Sequence, residues 1–194
     1  MPVEPHNVSL DEADRTLEWL YPAENQGALL PIIYFWARGA RADIMVELGA
    51  YWGYATLALQ KAARLNGGHL WTIEIDPTRA GVRGFDRAPD VAHGTLLLGD
   101  SGELGRAWDR GPIDLLYIDG DHSPAGVARD WEAWSPHVAE HGVVFFHDTL
   151  LPARSPNGGP GILLEILAAS EAWAVVNMPV ERGLGIVMRQ GSAT

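Results

Sequence analysis

The chain has 194 residues, of which 47% are hydrophobic and 20% charged, a composition typical of a globular domain and unlike a disordered or fibrous chain. Its formal net charge of −11 repels phosphate backbones and anionic lipid, so it disfavours nucleic acid and membrane surfaces as partners. Cysteine is absent, which excludes disulfides, thiolate metal sites and a cysteine nucleophile.

The amino-terminal part of the chain predicts helices and no targeting segment. Residues 1–15 are acidic and lack an apolar stretch, so a secretory signal is not expected there. No run approaches the roughly 18 apolar residues that a membrane helix needs. Helical spacing is found over residues 11–20 and 26–40, with a bend expected at Pro31. We therefore expect a cytoplasmic protein.

Short apolar runs rich in valine, isoleucine and leucine predict the strands of one sheet. The first five are almost continuously apolar, as expected of central strands that helices cover on both faces. Only residues 179–183 separate the last two, too few for a parallel crossover, so these two predict an antiparallel hairpin at the edge. The predicted strands are 43–48, 70–75, 94–98, 113–118, 143–146, 173–178 and 184–188.

Helical stretches lie between these strands. Residues 54–65 and 124–139 carry apolar residues at helical spacing, and Ser123 before Pro124 is typical of a helix start. Alternating strands and helices indicate parallel strands with right-handed crossovers. No linker divides the chain. We predict that residues 1–194 form one doubly wound α/β domain with a seven-stranded, mostly parallel sheet, an antiparallel carboxyl-terminal hairpin and helices on both faces.

A glycine-containing turn, residues 47–54, follows the first predicted strand. In open α/β sheets, ligands bind beyond the carboxyl ends of the strands. The glycines let the backbone approach a ligand closely, and the helix that follows offers free N–H groups. Tyr51 and Tyr54 break the G-x-G-x-x-G pattern, which disfavours a dinucleotide. A tight turn without a ligand is the alternative.

Acidic residues follow the second and third strands. Glu74 lies in an apolar run roughly 20 residues beyond the glycine turn, where a carboxylate can accept hydrogen bonds from ribose hydroxyls. Asp76 and Pro77 have the simpler interpretation of a helix start. Asp100 and Ser101 after the third strand either contact an adenine amino group or cap a helix, and the sequence leaves both open.

The densest group of reactive side chains follows the fourth and fifth strands. Asp119, Asp121 and His122 come after the fourth strand, and His147 and Asp148 end the fifth. These strands are joined by one helix, so they should be neighbours about 5 Å apart. Carboxylates at that spacing repel unless a cation or shared protons intervene. The interpretations are an octahedral Mg²⁺ site from Asp119, His147 and Asp148, an iron site from His122, His147 and Asp119, or helix capping with a His–Asp hydrogen bond.

Four motifs in this order resemble a known enzyme family. VELGAYWGY (46–54) and TIEID (72–76) resemble class I S-adenosylmethionine-dependent methyltransferases, especially the catechol and caffeoyl-CoA O-methyltransferase type. IDGDHS (118–123) and HDT (147–149) resemble the bacterial branch that includes macrocin and related antibiotic-sugar O-methyltransferases. The resemblance extends from about residue 43 to 150. It implies a Rossmann-like core and methyl transfer to oxygen.

The resemblance also implies roles for individual residues. Asp121 or His122 stands where the family has its general base. A divalent metal, with Mg²⁺ expected, would be held by Asp119, His147 and Asp148, although the family usually has a carboxylate where His147 stands. Residues implied to bind S-adenosylmethionine are Glu47, Gly49, Ala50, Tyr51, Gly53, Tyr54, Glu74, Ile75, Asp100, Ser101 and Asp119.

The implied partner is a small molecule with a phenol, catechol or sugar hydroxyl. Residues 1–42 would contribute helices to the acceptor pocket, residues 43–194 would form the Rossmann-like core, and a homodimer through the amino-terminal helices is a further expectation. Two other functions remain open at this point. One is a non-haem iron oxygenase on a methyltransferase-like scaffold, and the other is an inactive module that binds S-adenosylmethionine.

Overall fold

The computed structural model describes residues 29–51, 53–80 and 92–191. The predicted helix over residues 11–20, the first part of the helix over 26–40 and Trp52 lie outside the described residues. The extent of the domain over residues 1–194 and the contribution of residues 1–42 to an acceptor pocket therefore stay predictions. Among the described residues, no helix has both the length and the apolar character required to cross a membrane.

Strands and helices alternate along the described chain. The strands are β1 (Ile44–Leu48), β2 (His69–Glu74), β3 (Gly94–Leu98), β4 (Ile113–Ile118), β5 (Val138–His147), β6 (Trp173–Met178) and β7 (Leu184–Arg189). The helices are α1 (Leu29–Gly39), α2 (Tyr54–Asn66), α3 (Pro77–Ala80), α4 (Ser101–Arg106), α5 (Pro124–Trp134) and α6 (Gly159–Ala168). A 3₁₀ turn at Ser135–His137 links α5 to β5.

The seven strands form one sheet in the order β3-β2-β1-β4-β5-β7-β6. Strands β1 to β5 pair in parallel, and β7 runs antiparallel to both β5 and β6. The predicted mostly parallel sheet with an antiparallel carboxyl-terminal hairpin is confirmed. The strand order reverses between β1 and β4, so the ligand crevice of a doubly wound fold lies at the carboxyl ends of these two strands.

Helices cover both faces of the sheet because successive strand residues point to opposite sides. Phe145 packs in a cluster with residues of α1 and α2, whereas the next residue, Phe146, packs with α5 and α6. Both rings are fully buried, and each contributes roughly 2 kcal/mol through burial. The two hydrophobic clusters, one on each face of the sheet, hold β5 in place, and the site lies at the carboxyl end of this strand.

The helix predicted over residues 124–139 is shorter in the structure. It ends at Trp134, and β5 begins at Val138, which pairs with Ile113 of β4. Pro136 explains the early end, because proline has no N–H to donate and its ring clashes with the preceding helical turn. The prediction for residues 135–139 was therefore wrong.

Candidate functional site

The glycine turn between β1 and α2 rests directly on the end of β4. Gly49 has a φ of +90°, and a Cβ at this position would lie 2.4 Å from the carbonyl oxygen of Asp119. Only glycine fits such a close approach with this backbone conformation. The N–H of Asp119 donates to the Leu48 carbonyl at 2.9 Å, and the N–H of Gly49 donates to the Ile73 carbonyl at 2.9 Å. The ends of β1, β2 and β4 are thus held together at the switch point.

Helix α2 begins in this turn with its amino-terminal N–H groups directed into the crevice end of the sheet. Its N-cap is Gly53, with a φ of 75°, and no side chain of the described residues caps it. Such free N–H groups, together with the helix dipole, favour an anionic group. Tyr51 in the same turn has a φ of 40°, which costs about 1–2 kcal/mol in a residue with a Cβ. The turn is therefore strained and open to an anion.

Glu74 at the end of β2 braces the glycine turn. Its Oε2 accepts hydrogen bonds from the N–H groups of Ala50 and Tyr51 at 3.1 and 3.2 Å, and its Oε1 accepts from Asp76 at 2.9 Å. Both lone pairs of Oε2 are therefore used, whereas Oε1 has a second lone pair that can accept from a ribose hydroxyl. Ile75, placed in the strand by the sequence, lies just beyond it and is 70% exposed.

Glu47 on β1 is fully buried between α2 and β2. Its Oε2 accepts hydrogen bonds from the hydroxyls of Thr56 and Thr72, both at 2.7 Å. Burial raises the pKa of Glu47 to about 8, although the two threonine hydrogen bonds oppose the change. Its carboxyl group is therefore largely protonated at neutral pH.

Asp100 and Ser101 take different roles at the end of β3. Asp100 is the N-cap of α4 and accepts a hydrogen bond from the N–H of Glu103 at 3.0 Å. The hydroxyl of Ser101 donates to Asp130, a fully buried residue of α5. Asp130 was not among the predicted site residues. Its only signal in the sequence is a charged residue on the buried face of a helix.

Two aspartates and two histidines meet at the ends of β4 and β5. Asp119 Oδ1 accepts hydrogen bonds from His122 Nε2 at 3.1 Å and from His147 Nδ1 at 3.0 Å. Asp148 Oδ2 lies 3.6 Å from His122 Nδ1, and Asp148 Oδ1 lies 3.5 Å from His147 Nε2. We call these four residues the His–Asp cluster. The residues that follow β4 thus lie close to those that end β5, as the sequence predicts for neighbouring strands.

Asp121 takes a different position from the cluster. It is exposed, and its Oδ1 accepts a hydrogen bond from the N–H of Ser123 at 2.9 Å. Its carboxyl group packs against Gly126 in the first turn of α5. Of the two residues predicted as a general base, only His122 lies in the His–Asp cluster.

Shared protons stabilise the His–Asp cluster. Burial disfavours charge on each group, but the hydrogen bonds between Asp119 and the two imidazoles outweigh it. The pKa of Asp119 is consequently lowered, and the pKa values of His122 and His147 are raised. Imidazole protons therefore neutralise the carboxylate repulsion that the sequence predicts at this edge.

The loop between β6 and β7 adds a cation that the sequence did not point to. Asp148 has a φ of 58°, a left-handed conformation that is unusual for a residue with a side chain. The N–H of Leu150 donates to the Arg182 carbonyl at 2.8 Å, and the Arg182 guanidinium lies 3.8 Å from Asp148 Oδ2. The loop thus borders the His–Asp cluster and supports its strained residue.

The His–Asp cluster does not have the arrangement of a metal site. Among residues 29–51, 53–80 and 92–191, no three ligating side chains are arranged to hold an ion. Asp119 Oδ1 already accepts two imidazole hydrogen bonds, whereas Mg²⁺ requires near-octahedral oxygen ligands and an iron site requires lone pairs that converge on one point. Asp119, His147 and Asp148 lie close to one another, and their role as metal ligands stays a prediction.

The amino-acid sequence of this chain matches that of a known protein family. A family model described as a methyltransferase domain matches residues 46–149, which is more than half of the chain. The chain belongs to this methyltransferase domain family. The matched residues run from the glycine turn to the end of the His–Asp cluster, so the family assignment rests on the same elements that form the crevice.

Curated relatives of this methyltransferase domain are longer proteins. A catechol O-methyltransferase from Niastella koreensis is 27% identical over 132 residues, which cover 66% of this chain and 57% of the relative. The O-methyltransferase ankF from Aspergillus thermomutatus is 26% identical over 118 residues, covering 60% of this chain and 49% of the relative. The chain spans about half the length of the curated relatives it matches.

Solved structures share the fold over almost the whole domain. The O-methyltransferase TomG from Streptomyces achromogenes, in complex with S-adenosylmethionine, has a TM-score of 0.74 at 19% identity, covering 96% of this chain and 93% of that one. An O-methyltransferase from Bacillus cereus, in complex with S-adenosylhomocysteine, has a TM-score of 0.70 at 17% identity, covering 97% and 93%. These similarities confirm the Rossmann-like methyltransferase fold, and the iron-oxygenase alternative is not favoured.

Proposed function

We propose that this protein transfers a methyl group from S-adenosylmethionine to a hydroxyl oxygen of a small molecule. One observation carries the proposal: the glycine turn and the His–Asp cluster touch at Gly49 and Asp119, where a Cβ would lie 2.4 Å from a backbone oxygen. A cofactor seated on the turn would therefore lie beside groups that can take up a proton. Membership of the methyltransferase domain family and the names of the O-methyltransferase relatives support this function.

The crevice residues fit S-adenosylmethionine. The free N–H groups at the start of α2 suit the carboxylate of its methionine end, beside Ala50, Tyr51 and Tyr54. The remaining lone pair of Glu74 Oε1 suits a ribose hydroxyl, and the exposed side chain of Ile75 offers an apolar surface to the adenine. Asp119 adds a carboxylate that favours a cationic donor.

His122 is assigned as the general base. S-adenosylmethionine, when bound, supplies an electrophilic methyl group on a sulfonium. The acceptor hydroxyl must lose a proton as its oxygen gains the methyl group, and the neutral form of His122 can take that proton at Nδ1 while Nε2–H donates to Asp119. The imidazolium that forms lies between Asp119 and Asp148, and their charges stabilise it. His147, on the other side of Asp119, holds that carboxylate in place.

A divalent metal could activate the acceptor hydroxyl by direct coordination. The arrangement of Asp119, His147 and Asp148 does not fit such an ion, so we assign no step to one. Chelation is the direct test. Turnover that survives chelation supports His122 as the activating group, and turnover that is lost and returns with Mg²⁺ supports a metal. Cytoplasmic location and homodimer formation stay predictions.

The experiment is a methyl-transfer assay with catechol, phenol and sugar acceptors, run on the purified protein and two histidine variants. We expect His122→Gln to lower turnover by about 100-fold or more and to leave the affinity for S-adenosylmethionine within a few-fold of wild type. The control is His137→Gln, because His137 contacts the Gly105 carbonyl instead of the cluster. Cofactor binding by the wild type without turnover on any acceptor would indicate an inactive binding module.

A further inference from the structure

Asp130 is a buried carboxylate that the proposed methyl transfer does not use. It lies on α5 with no exposed surface, and its Oδ1 accepts a hydrogen bond from the Ser101 hydroxyl at 2.5 Å. Its Oδ2 has no hydrogen-bond partner among the described residues. That oxygen faces Gly120, where a Cβ would lie 3.5 Å from it. Asp130 therefore bonds to the start of α4 and lies next to the loop that follows β4.

The same helix holds Ser101 by a second contact. Trp134 Nε1 on α5 donates to the Ser101 carbonyl at 2.9 Å, and the preceding residue, Asp100, caps α4. The Ser101 backbone is thus fixed, and its hydroxyl proton is committed to Asp130. A hydroxyl has one proton and two lone pairs, so only its acceptor side remains for a ligand.

We propose that Asp130 makes the site selective for a 6-aminopurine by fixing the Ser101 hydroxyl as a hydrogen-bond acceptor. This rests on the proposed function, because it takes the adenine of S-adenosylmethionine to lie beside Ser101. The amino group at C6 of adenine is a donor and pairs with that acceptor. The oxo group at C6 of hypoxanthine is an acceptor, and two acceptors that face each other leave both without a hydrogen bond.

Asp130 is a positioning residue in this proposal, because it acts through Ser101. Replacing its carboxylate with an amide keeps the shape and changes the hydrogen bonding. The amide N–H₂ of Asp130→Asn can donate to the Ser101 oxygen, which releases the hydroxyl proton toward the ligand. The serine then pairs with an oxo group as well as with an amino group, and the preference for adenine weakens.

The test compares the affinities of S-adenosylhomocysteine and S-inosylhomocysteine by calorimetric titration. For wild type we expect the adenosyl ligand to bind at least about tenfold more tightly, the loss expected for one unsatisfied polar group. Asp130→Asn should reduce this ratio by about fivefold or more, with tighter inosyl binding, and Ser101→Ala should reduce it as well. The matched control is Asp114→Asn, whose carboxylate accepts from Asp43 and Ile44 at the other end of β4.

Thermal unfolding establishes that each variant is folded. A folded Asp130→Asn variant with the wild-type ratio, or with both affinities lowered equally, would overturn the proposal and leave Asp130 a structural residue. Should Asp130→Asn not fold, Ser101→Ala with an unchanged ratio overturns it equally. A wild-type protein that binds neither ligand would instead overturn the proposed function.

Discussion

Asp119 connects the two imidazoles of the cluster through a single carboxylate oxygen. Because both hydrogen bonds end on that oxygen, the protonation of His122 and that of His147 are linked. The two hydrogen bonds favour the protonated form of the imidazoles next to the carboxylate. His122 is oriented with Nε2 toward Asp119 and Nδ1 at 3.6 Å from Asp148 Oδ2, so in the neutral imidazole Nδ1 is the nitrogen that can accept a proton.

Removing the charge of Asp119 should lower the pKa of both histidines. In Asp119→Asn the side-chain oxygen remains but no longer stabilises an imidazolium, so burial, which disfavours the charged form, has less opposition. We expect both pKa values to fall in an NMR titration of the ring protons. The control Asp121→Asn should leave both values unchanged, and an unchanged His147 pKa in Asp119→Asn would contradict the assigned hydrogen bonds.

Glu47 should make the stability of the protein depend on pH. Its pKa is about 8 in the folded protein against 4.5 for the free group, so between these values the folded state keeps a proton that the unfolded state has lost. The free energy of unfolding must then decrease as pH rises through this range, by up to roughly 1.4 kcal/mol per pH unit.

Glu47→Gln tests this dependence. Glutamine cannot ionise, and its amide oxygen can still accept from Thr56 and Thr72. We expect the variant to become progressively more stable than wild type from pH 5 to about pH 8. Urea unfolding across that range measures the difference. If the free energy of unfolding changes with pH in the same way for both proteins, Glu47 is already ionised in the folded state.

At the scale of elements, the glycine turn does most to define the crevice. It contacts β4 through Gly49, is braced by Glu74 of β2 and starts α2 at Gly53 without a side-chain cap from the described residues. Tyr51 holds a left-handed conformation within it. Such local strain is typical of functional segments, and the hydrogen bonds to Glu74 maintain it.

Two glycine variants separate backbone strain from contact with the site. Gly49 and Gly67 both have a positive φ, but a Cβ meets the Asp119 carbonyl oxygen at Gly49 and nothing within 4 Å at Gly67. Gly67→Ala should cost about 1–2 kcal/mol of stability and leave cofactor affinity unchanged. Gly49→Ala should cost more and weaken S-adenosylhomocysteine binding by about tenfold or more. Equal affinities for the two variants would contradict the assigned seat of the cofactor.

At the scale of the whole molecule, much of the architecture could be predicted because its signals are local. The apolar runs predict the strands, and the short connection over residues 179–183 predicts the antiparallel hairpin. The rule that ligands bind at the carboxyl ends of strands then brings the motifs around Gly49, Glu74, Asp119 and Asp148 to one edge. Each of these inferences needs only sequence spacing and the geometry of parallel strands.

The remaining features depend on packing that no spacing reveals. Helix α5 ends at Trp134, and β5 begins earlier than predicted, at Val138. Helical periodicity alone does not show where the helix stops and the strand starts. The pairing of Asp130 with Ser101 requires the distance between α4 and α5, and the approach of Arg182 to Asp148 requires the path of a distant loop. Hydrogen-bond partners within the cluster likewise depend on side-chain rotamers.

The most direct measurement is calorimetric titration of the purified protein with S-adenosylmethionine and S-adenosylhomocysteine, with Mg²⁺ present and again after chelation. We predict saturable one-to-one binding of both ligands, with affinities that chelation does not change. Binding that requires Mg²⁺ would contradict the assignment of the His–Asp cluster as a metal-free proton acceptor. No binding under either condition would contradict the methyltransferase function itself.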